Sequence, residues 1–249
     1  MIRVERIRKR FDAREVLRGI SFSVPAGRTV VLLGPSGAGK SVLLKTMVGL
    51  LRPDEGEVWI DGVPLVGGPE PAAAEVRRRV GFVFQSSALF DSLTVAENIL
   101  LGLDGDGLGG DPRRGRARVL ECLRWVNLKP EIAAKHPAEL SGGMQKRVAI
   151  ARAIAGEQRY LLYDEPTAGL DPANAETVAE LIRRLQGELG VTTVAVTHDL
   201  DLARHVADSV LLLDGGELVA ETPAAALEAL DHPMVRAFHR RRPRLEHVA

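Results

Sequence analysis

A glycine-rich run directly after an apolar segment limits the folds open to this chain. Residues 30–33 are all apolar after Thr29, which is typical of a strand covered on both faces. The run fits the pattern GxxxxGK[ST], and residues 42–48 then fit a helix. Glycines let backbone N–H groups wrap a phosphate, and the helix N-terminus adds partial positive charge. The pattern predicts a nucleotide phosphate site made by Gly34, Pro35, Ser36, Gly37, Ala38, Gly39, Lys40 and Ser41.

Two side chains of this run have predicted roles in binding the nucleotide phosphates and Mg²⁺. Lys40 can reach the β- and γ-phosphates, and the Ser41 hydroxyl can ligate the metal ion. The alternative is a glycine-rich turn that matches the pattern by chance. The apolar strand before the run and the helical pattern after it favour the nucleotide site.

A second buried strand, residues 160–163, ends in two acids, Asp164 and Glu165. Ligand sites in parallel sheets lie at the carboxyl ends of the strands, so both acids are expected near the phosphates. Successive side chains of an extended strand point in opposite directions, which suits two roles. Asp164 can hold Mg²⁺, and Glu165 can orient and deprotonate an attacking water. The alternative is an acidic turn that only caps the strand.

The alternation of strands and helices indicates an α/β protein. Buried strands are also predicted at residues 192–196 and 210–213, and residues 177–189 place their apolar side chains on one helical stripe. An alternating strand at residues 20–24 and a short strand at residues 57–60 indicate an antiparallel layer. We therefore predict a P-loop NTPase (RecA-like) core with a parallel sheet, an N-terminal antiparallel β layer and a helical subdomain.

The chain is predicted to form a single domain over residues 1–249, because no internal repeat or long linker divides it. The helical subdomain is expected at about residues 86–156, with a surface loop in the Gly-, Asp- and Arg-rich residues 104–115. Three features are expected toward the C-terminus: an Ala-rich helical pattern after residue 218, a tail at about residues 223–249, and a basic run around residues 239–244.

Charge and hydropathy narrow the function classes. Lys and Arg number 33 and Asp and Glu number 33, so the net charge of zero argues against a broadly basic nucleic-acid-binding protein. The single cysteine, Cys122, excludes an intrachain disulfide and fits a reducing compartment. The N-terminal residues lack the apolar run of a secretory signal, and no stretch approaches the roughly 18 apolar residues of a membrane helix. We expect that the chain does not span a bilayer by itself.

A second candidate phosphate site opens another helix. Ser141 is a natural N-cap residue, and Gly142 and Gly143 allow close approach of an anion. The alternative is an ordinary serine-capped helix start. The following helix is predicted from an apolar stripe formed by Met144, Val148, Ala151 and Ile154.

Together with these motifs, the chain resembles the nucleotide-binding subunit of ABC transporters over nearly its whole length. Residues 140–145 resemble the signature motif of that family, with Met144 where Gln is usual. Other motifs follow in the family order: Phe11 at the aromatic position where Tyr is commoner, Gln85 in the Q-loop, Asp171 in the D-loop and His198 as the switch histidine.

The resemblance implies roles for these residues. Phe11 would stack on adenine, with a core phenylalanine as the alternative. Gln85 would contact Mg²⁺ or the attacking water, with an exposed strand-end glutamine as the alternative. His198 would donate a hydrogen bond to the γ-phosphate. The signature residues Ser141, Gly142 and Gly143, and the D-loop residue Asp171, are assigned to nucleotide binding.

The family also implies an assembly. The signature of one subunit faces the γ-phosphate held by the other, so a head-to-tail homodimer has two composite sites. Integral membrane permease subunits are expected to dock on residues 86–93, which include Ala88, Leu89, Phe90 and Leu93. The alternative for these residues is an ordinary helix-packing surface. The expected location is cytoplasmic, peripheral on the inner face of the cell membrane.

Two segments favour one branch of the family. Residues 84–95 and 231–238 resemble ATPases of the phospholipid-trafficking, Mla and Mce-associated systems. This resemblance implies lipid or phospholipid as the cargo, together with a lipid-binding substrate protein. The alternatives are an importer of polar amino acids or a similar small solute, a soluble ABC-type ATPase, and a P-loop kinase.

Overall fold

The computed structural model describes residues 1–65, 69–103, 112–156, 158–233 and 235–236. The strands in these ranges are, in chain order, β1 (Ile2–Phe11), β2 (Arg14–Val24), β3 (Thr29–Leu33), β4 (Glu55–Ile60), β5 (Val63–Pro64), β6 (Val80–Val83), β7 (Tyr160–Asp164), β8 (Thr192–Thr197), β9 (Ser209–Asp214) and β10 (Glu217–Pro223). The α-helices are α1 (Lys40–Met47), α2 (Glu70–Arg78), α3 (Val95–Leu100), α4 (Pro112–Trp125), α5 (Gly142–Ala153), α6 (Pro172–Leu189) and α7 (Leu200–Val206). Three 3-10 helices span Pro130–Ala134, Pro137–Glu139 and Ala224–Ala229.

The central sheet has the strand order β10-β9-β3-β8-β7-β6. Strands β9, β3, β8, β7 and β6 run parallel to one another, and the edge strand β10 pairs antiparallel with β9. Every residue of β3, β7 and β8 is buried, which explains their continuous apolar runs. Because the central strands are parallel, their carboxyl ends meet at one edge of the sheet, and the predicted α/β core is confirmed.

A second sheet, in the order β2-β1-β4-β5, is antiparallel and forms the predicted N-terminal layer. Its apolar side chains share one core with α1 and with alternate residues of the central strands, such as Val30 and Leu32. The intervening residues, Val31 and Leu33, belong to a second core with α5 and α6. Successive strand residues face opposite sides, so α1 and α5 pack on opposite faces of the central sheet.

Several secondary-structure predictions are confirmed. The stripe of the helix predicted at residues 177–189 lies within α6, where Val178, Leu181, Ile182 and Leu185 are buried. Residues 86–156 contain α3, α4, α5 and two of the 3-10 helices. None of the helices in the described ranges is both long and apolar enough to cross a membrane.

Two predictions near loops are wrong in part. Residues 112–115 were predicted as loop but begin α4, whose residues Val119, Cys122 and Leu123 are buried; residues 104–111 lie outside the described residues.

The Ala-rich pattern forms a short 3-10 helix, and the unpredicted strand β10 precedes it. Gly215 and Gly216 both have positive φ and reverse the chain between β9 and β10. The basic run at residues 239–244, the end of the tail, and residues 234, 237 and 238 also lie outside the described residues.

Candidate nucleotide-binding site

The glycine-rich run forms the turn between β3 and α1, in the strand–turn–helix order that the motif requires. Gly39, immediately before α1, has a φ of +98°, and a Cβ there would lie 2.9 Å from Leu17 Cδ2. A Cβ at Gly34 would overlap the carbonyl oxygen of Leu213. Glycine is therefore required at both positions, by backbone conformation at Gly39 and by close packing at Gly34.

Lys40 is the first residue of α1 and is 5% exposed. Its ammonium donates hydrogen bonds to the carbonyl oxygens of Gly34, at 2.8 Å, and Pro35, at 3.0 Å. The same Nζ atom lies 3.3 Å from Glu165 Oε1. The ammonium is thus fixed inside the glycine-rich turn, beside the acid predicted to act on water.

Ser41 and Asp164 are brought together from segments far apart in the sequence. The Ser41 hydroxyl donates a hydrogen bond of 2.6 Å to Asp164 Oδ1, and Asp164 is the buried last residue of β7. Hydroxyl and carboxylate oxygens are the hard ligands that Mg²⁺ prefers. These two residues therefore fit the predicted metal role, in which a bound Mg²⁺ would neutralise charge on the phosphates.

Glu165 has a left-handed backbone conformation, with φ at +46°. This conformation costs a residue other than glycine about 1–3 kcal/mol. It is held by the Glu165 N–H, which donates to Val196 O at 2.9 Å. This turn interrupts the alternation of side chains along β7. The carboxylate of Glu165 therefore lies near α1, as that of Asp164 does, and contacts Lys40.

His198 follows β8 and lies beside the same carboxylate. Its Nδ1 is 2.9 Å from Glu165 Oε2, and its side chain is 55% exposed. The same carboxylate oxygen accepts a hydrogen bond of 3.2 Å from the Thr197 hydroxyl. The ends of β3, β7 and β8 therefore converge on one group of side chains: Lys40, Ser41, Asp164, Glu165, Thr197 and His198.

Phe11 and Gln85 both lie at strand ends. Phe11 ends β1 and is 43% exposed, so the core alternative is wrong. Lys9 Nζ lies 5.4 Å from the centroid of its ring. Gln85 follows β6 and is exposed, and its backbone carbonyl accepts a hydrogen bond from Lys146. The contacts of both side chains with nucleotide stay predictions.

The signature segment begins α5 as predicted. Ser141 is the N-cap, and its hydroxyl accepts a hydrogen bond of 3.3 Å from the Met144 N–H. Gly143 packs so closely on α6 that a Cβ would overlap Asn174 Oδ1. The two candidate phosphate sites are at the starts of α1 and α5, which lie on opposite faces of the central sheet.

Asp171 is the N-cap of α6. Its carboxylate accepts hydrogen bonds from the side-chain amide of Asn174, at 2.6 Å, and from the Asn174 N–H, at 3.0 Å. These hydrogen bonds hold the pKa of Asp171 below its usual range. The cap explains an aspartate here without a ligand, and the nucleotide contact of Asp171 stays a prediction.

Sequence reasoning missed Thr197, Asn174 and Lys146. Thr197 carries no local signal, because its partner Glu165 follows another strand. Asn174 hydrogen-bonds locally to Asp171, but its contact with Gly143 of α5 carries no local signal. Lys146 did carry one: it lies on a buried helical stripe with Gly143, Ile150 and Ala153. A lysine on such a stripe needs a polar partner inside the fold.

The comparisons with known proteins agree with this geometry. The model of the ABC transporter family matches residues 17–168, which include the glycine-rich turn, the signature segment and the two acids at the end of β7. The methionine import ATP-binding protein MetN of Thermobifida fusca (strain YX) is 44% identical over 209 residues. The match covers 83% of this chain but only 64% of that relative's length.

Two solved structures share the fold. The ATP-binding cassette MJ0796, dimeric in a post-hydrolysis state with ADP and Pi, has a TM-score of 0.80 and 34% identity over 90% of this chain and 99% of that chain. The protein cbiO1 from Clostridium perfringens, part of the ABC transporter complex cbiONQ, has a TM-score of 0.82 and 29% identity over 98% of this chain and 96% of that chain.

These relatives do not support the lipid-trafficking branch that the sequence analysis favours, because the MetN relative is named for methionine import. They do agree on the family and on the cassette fold. The chain therefore belongs to the ABC transporter family and has the fold of its ATP-binding cassettes.

Proposed function

We propose that this chain is the ATPase subunit of an ABC importer and hydrolyses ATP at composite sites between two copies. The observation that carries the proposal is the convergence of Lys40, Ser41, Asp164 and Glu165 at one edge of the central sheet. We infer that the chain acts as a single cassette, with residues 86–156 as its helical subdomain.

Each residue of the site has a proposed role that follows from its side-chain chemistry. Lys40 binds the β- and γ-phosphates, and Ser41 and Asp164 hold Mg²⁺. Glu165 accepts the proton of the attacking water, and His198, 2.9 Å from it, orients the carboxylate and donates to the γ-phosphate. Gln85 completes the site from the end of β6, and Phe11 supports adenine from the antiparallel layer.

A homodimer is proposed because one copy separates its own phosphate-binding elements. The glycine-rich turn and Ser141 begin helices on opposite faces of the central sheet, so a second copy is needed to bring a signature to each turn. The dimeric form of MJ0796 with ADP and Pi supports this arrangement.

A membrane permease is the proposed partner, and the surface at residues 86–93 is its proposed docking site. The apolar cluster there divides in two: Leu89 packs on the core, whereas Phe90 is 56% exposed. Leu101, at the end of α3, is also 43% exposed. Docking there would place the chain peripherally on the inner face of the cell membrane. The role of cbiO1 as part of cbiONQ supports a multisubunit assembly.

Methionine is the proposed cargo class, in place of lipid. The support is the name of the MetN relative, which is 44% identical but longer than this chain. Side chains of an ATPase subunit do not contact cargo, so uptake must be measured in the whole transporter. Proteoliposomes that contain the chain and its permease should accumulate radiolabelled methionine. This uptake should occur only when ATP is present on the side of the membrane where the ATPase lies. ATP-dependent movement of labelled phospholipid without methionine uptake would contradict this proposal.

ATP hydrolysis itself is tested on the purified chain. Wild-type protein should release phosphate from Mg-ATP, and Lys40→Ala should lose most binding of a fluorescent ATP analogue, since the charge on the phosphates is removed. Lys45→Ala, in the last turn of the same helix, is the matched control and should bind as wild type. Equal binding by Lys40→Ala and wild type would remove Lys40 from the phosphate site.

A further inference from the structure

The segment after β6, residues 84–93, is called here the Gln85 loop. Two consecutive residues in it, Ser87 and Ala88, have positive φ values of +63° and +48°. Neither residue is glycine, so this backbone persists only where the surroundings hold it. The Gln85 loop is therefore a strained segment that carries a proposed catalytic side chain.

A buried lysine holds the start of this loop. Lys146 is 2% exposed, and its ammonium donates to Gln85 O at 2.6 Å and to Phe84 O at 3.3 Å. These two carbonyls are its hydrogen-bond acceptors in the described part of the chain. Burial lowers the pKa of Lys146, and the charge of Asp164 acts in the opposite direction. The start of the Gln85 loop is thus fixed to α5 by a buried ammonium.

An arginine on the same helix holds the strained residues. Arg152 donates from one guanidinium nitrogen to Ala88 O at 2.7 Å and from the other to Ser87 O at 2.9 Å. Lys146 and Arg152 both lie on α5, which begins at the signature residue Ser141. Four carbonyls of the Gln85 loop therefore accept hydrogen bonds from cations of one helix.

We propose that Lys146 is a positioning residue for hydrolysis, which ties the backbone of Gln85 to the signature helix. This inference rests on the proposed dimer, in which Ser141 serves the partner's site and Gln85 serves its own. Lys146 follows Ser141 by five residues, or about 7.5 Å along a rigid helix. A displacement of α5 when Ser141 engages phosphate in one site then moves Gln85 in the other, so the two sites of the dimer communicate.

Hydrogen exchange tests the contact without relying on ATPase activity. Lys146→Met keeps most of the length of the side chain but removes its charge and donors, and should speed amide exchange in residues 84–90 about tenfold. The matched control is Arg147→Met. Arg147 is the next residue of α5, but it donates to Val126 O and Asn127 O, away from the Gln85 loop. Exchange in the loop should stay at the wild-type rate in this control.

Steady-state kinetics test whether Lys146 positions Gln85 for hydrolysis. Lys146→Met should lower kcat about tenfold with the affinity for ATP nearly unchanged, and Lys146→Arg should restore most of the rate. A double-mutant cycle shows whether Lys146 acts through Gln85: Lys146→Met should add almost nothing to Gln85→Ala. Arg147→Met combined with Gln85→Ala should be as slow as Gln85→Ala alone.

Each result decides one step. Unchanged loop exchange in Lys146→Met overturns the tie between helix and loop. Additive losses in the cycle overturn positioning through Gln85, even if the loop loosens. Wild-type protein without ATPase activity would instead refute the proposed function, and exchange would still decide on the tie. If Lys146→Met does not fold, Lys146→Gln, which keeps neutral N–H donors, should give an intermediate exchange rate; a wild-type rate would overturn the tie.

Discussion

Glu165 adopts a backbone conformation that few residues other than glycine tolerate, and the site depends on it. In an extended continuation of β7, its side chain would face the core of α5 and α6. The left-handed turn instead directs its two oxygens to Lys40 and to Thr197 and His198. Local strain is thus used to place a second acid beside Asp164.

Glu165→Gln should retain ATP binding and lose most turnover. The amide preserves the shape of the side chain but cannot accept a proton from water, and a general base contributes roughly 10²–10⁴-fold. Phosphate release and light scattering after size exclusion should show an inactive dimer held by ATP. Glu180→Gln, an exposed change on α6, is the control and should turn over normally. Wild-type turnover in Glu165→Gln would exclude the general-base role.

Local motifs made part of the site predictable from sequence. The glycine-rich turn, Asp164 and Glu165 could be found because each is a short pattern after a continuously apolar strand. The acceptors of Lys146 and the contact of Asn174 with Gly143 could not, because they join segments distant in sequence. The sequence also could not decide whether Phe11 is buried, since an aromatic residue at a strand end fits either state.

Helix α5 combines several functions on one rigid element. Its N-terminus is the signature segment, its buried face holds the Gln85 loop, and its first turn packs on α6. Such an element was predictable from its serine cap and apolar stripe. The start of α4 was not, because Gly115 and its neighbouring arginines are typical of a loop; the buried positions Val119, Cys122 and Leu123 outweigh that composition.

The close contact of α5 with α6 makes two adjacent glycines respond differently to alanine. A Cβ at Gly143 would overlap Asn174, whose side chain is fixed by Asp171, so Gly143→Ala should destabilise the fold by about 1–3 kcal/mol. A Cβ at Gly142 would lie 3.9 Å from its nearest neighbour, so Gly142→Ala should be neutral or stabilise by up to about 1 kcal/mol. Urea denaturation measures both; equal effects would contradict the contact.

At the level of the assembly, the opposite placement of α1 and α5 predicts complementation between inactive variants. Lys40→Ala and Ser141→Arg should each lack ATPase activity alone. Mixed dimers contain one intact site and one site with both lesions, so an equal mixture should regain up to about one quarter of wild-type activity if the sites act independently. Phosphate release from the mixture is the measurement. Loss of ATP affinity by Ser141→Arg as a monomer would contradict the shared site.

Phe90 tests assembly with the membrane partner. Phe90→Asp should leave ATP binding and the melting temperature near wild type, because Phe90 is 56% exposed and far from any proposed phosphate ligand in sequence. It should prevent co-purification with the permease, since burying an unpaired carboxylate costs several kcal/mol. Val219→Asp, an exposed change on β10, is the control. Full assembly by Phe90→Asp would remove this surface from the interface.

The alternation of β7 between two cores makes its residue count as important as its composition. Tyr160, Leu162 and Asp164 face α1, and Leu161 and Tyr163 face α5 and α6. Inserting one residue within the strand would reverse this parity and set Tyr163 opposite the Ser41 hydroxyl. The effect of a substitution in the central strands therefore depends on the size and polarity of the new side chain. A change of length by one residue would exchange the two cores and separate Asp164 from Ser41 at the same time.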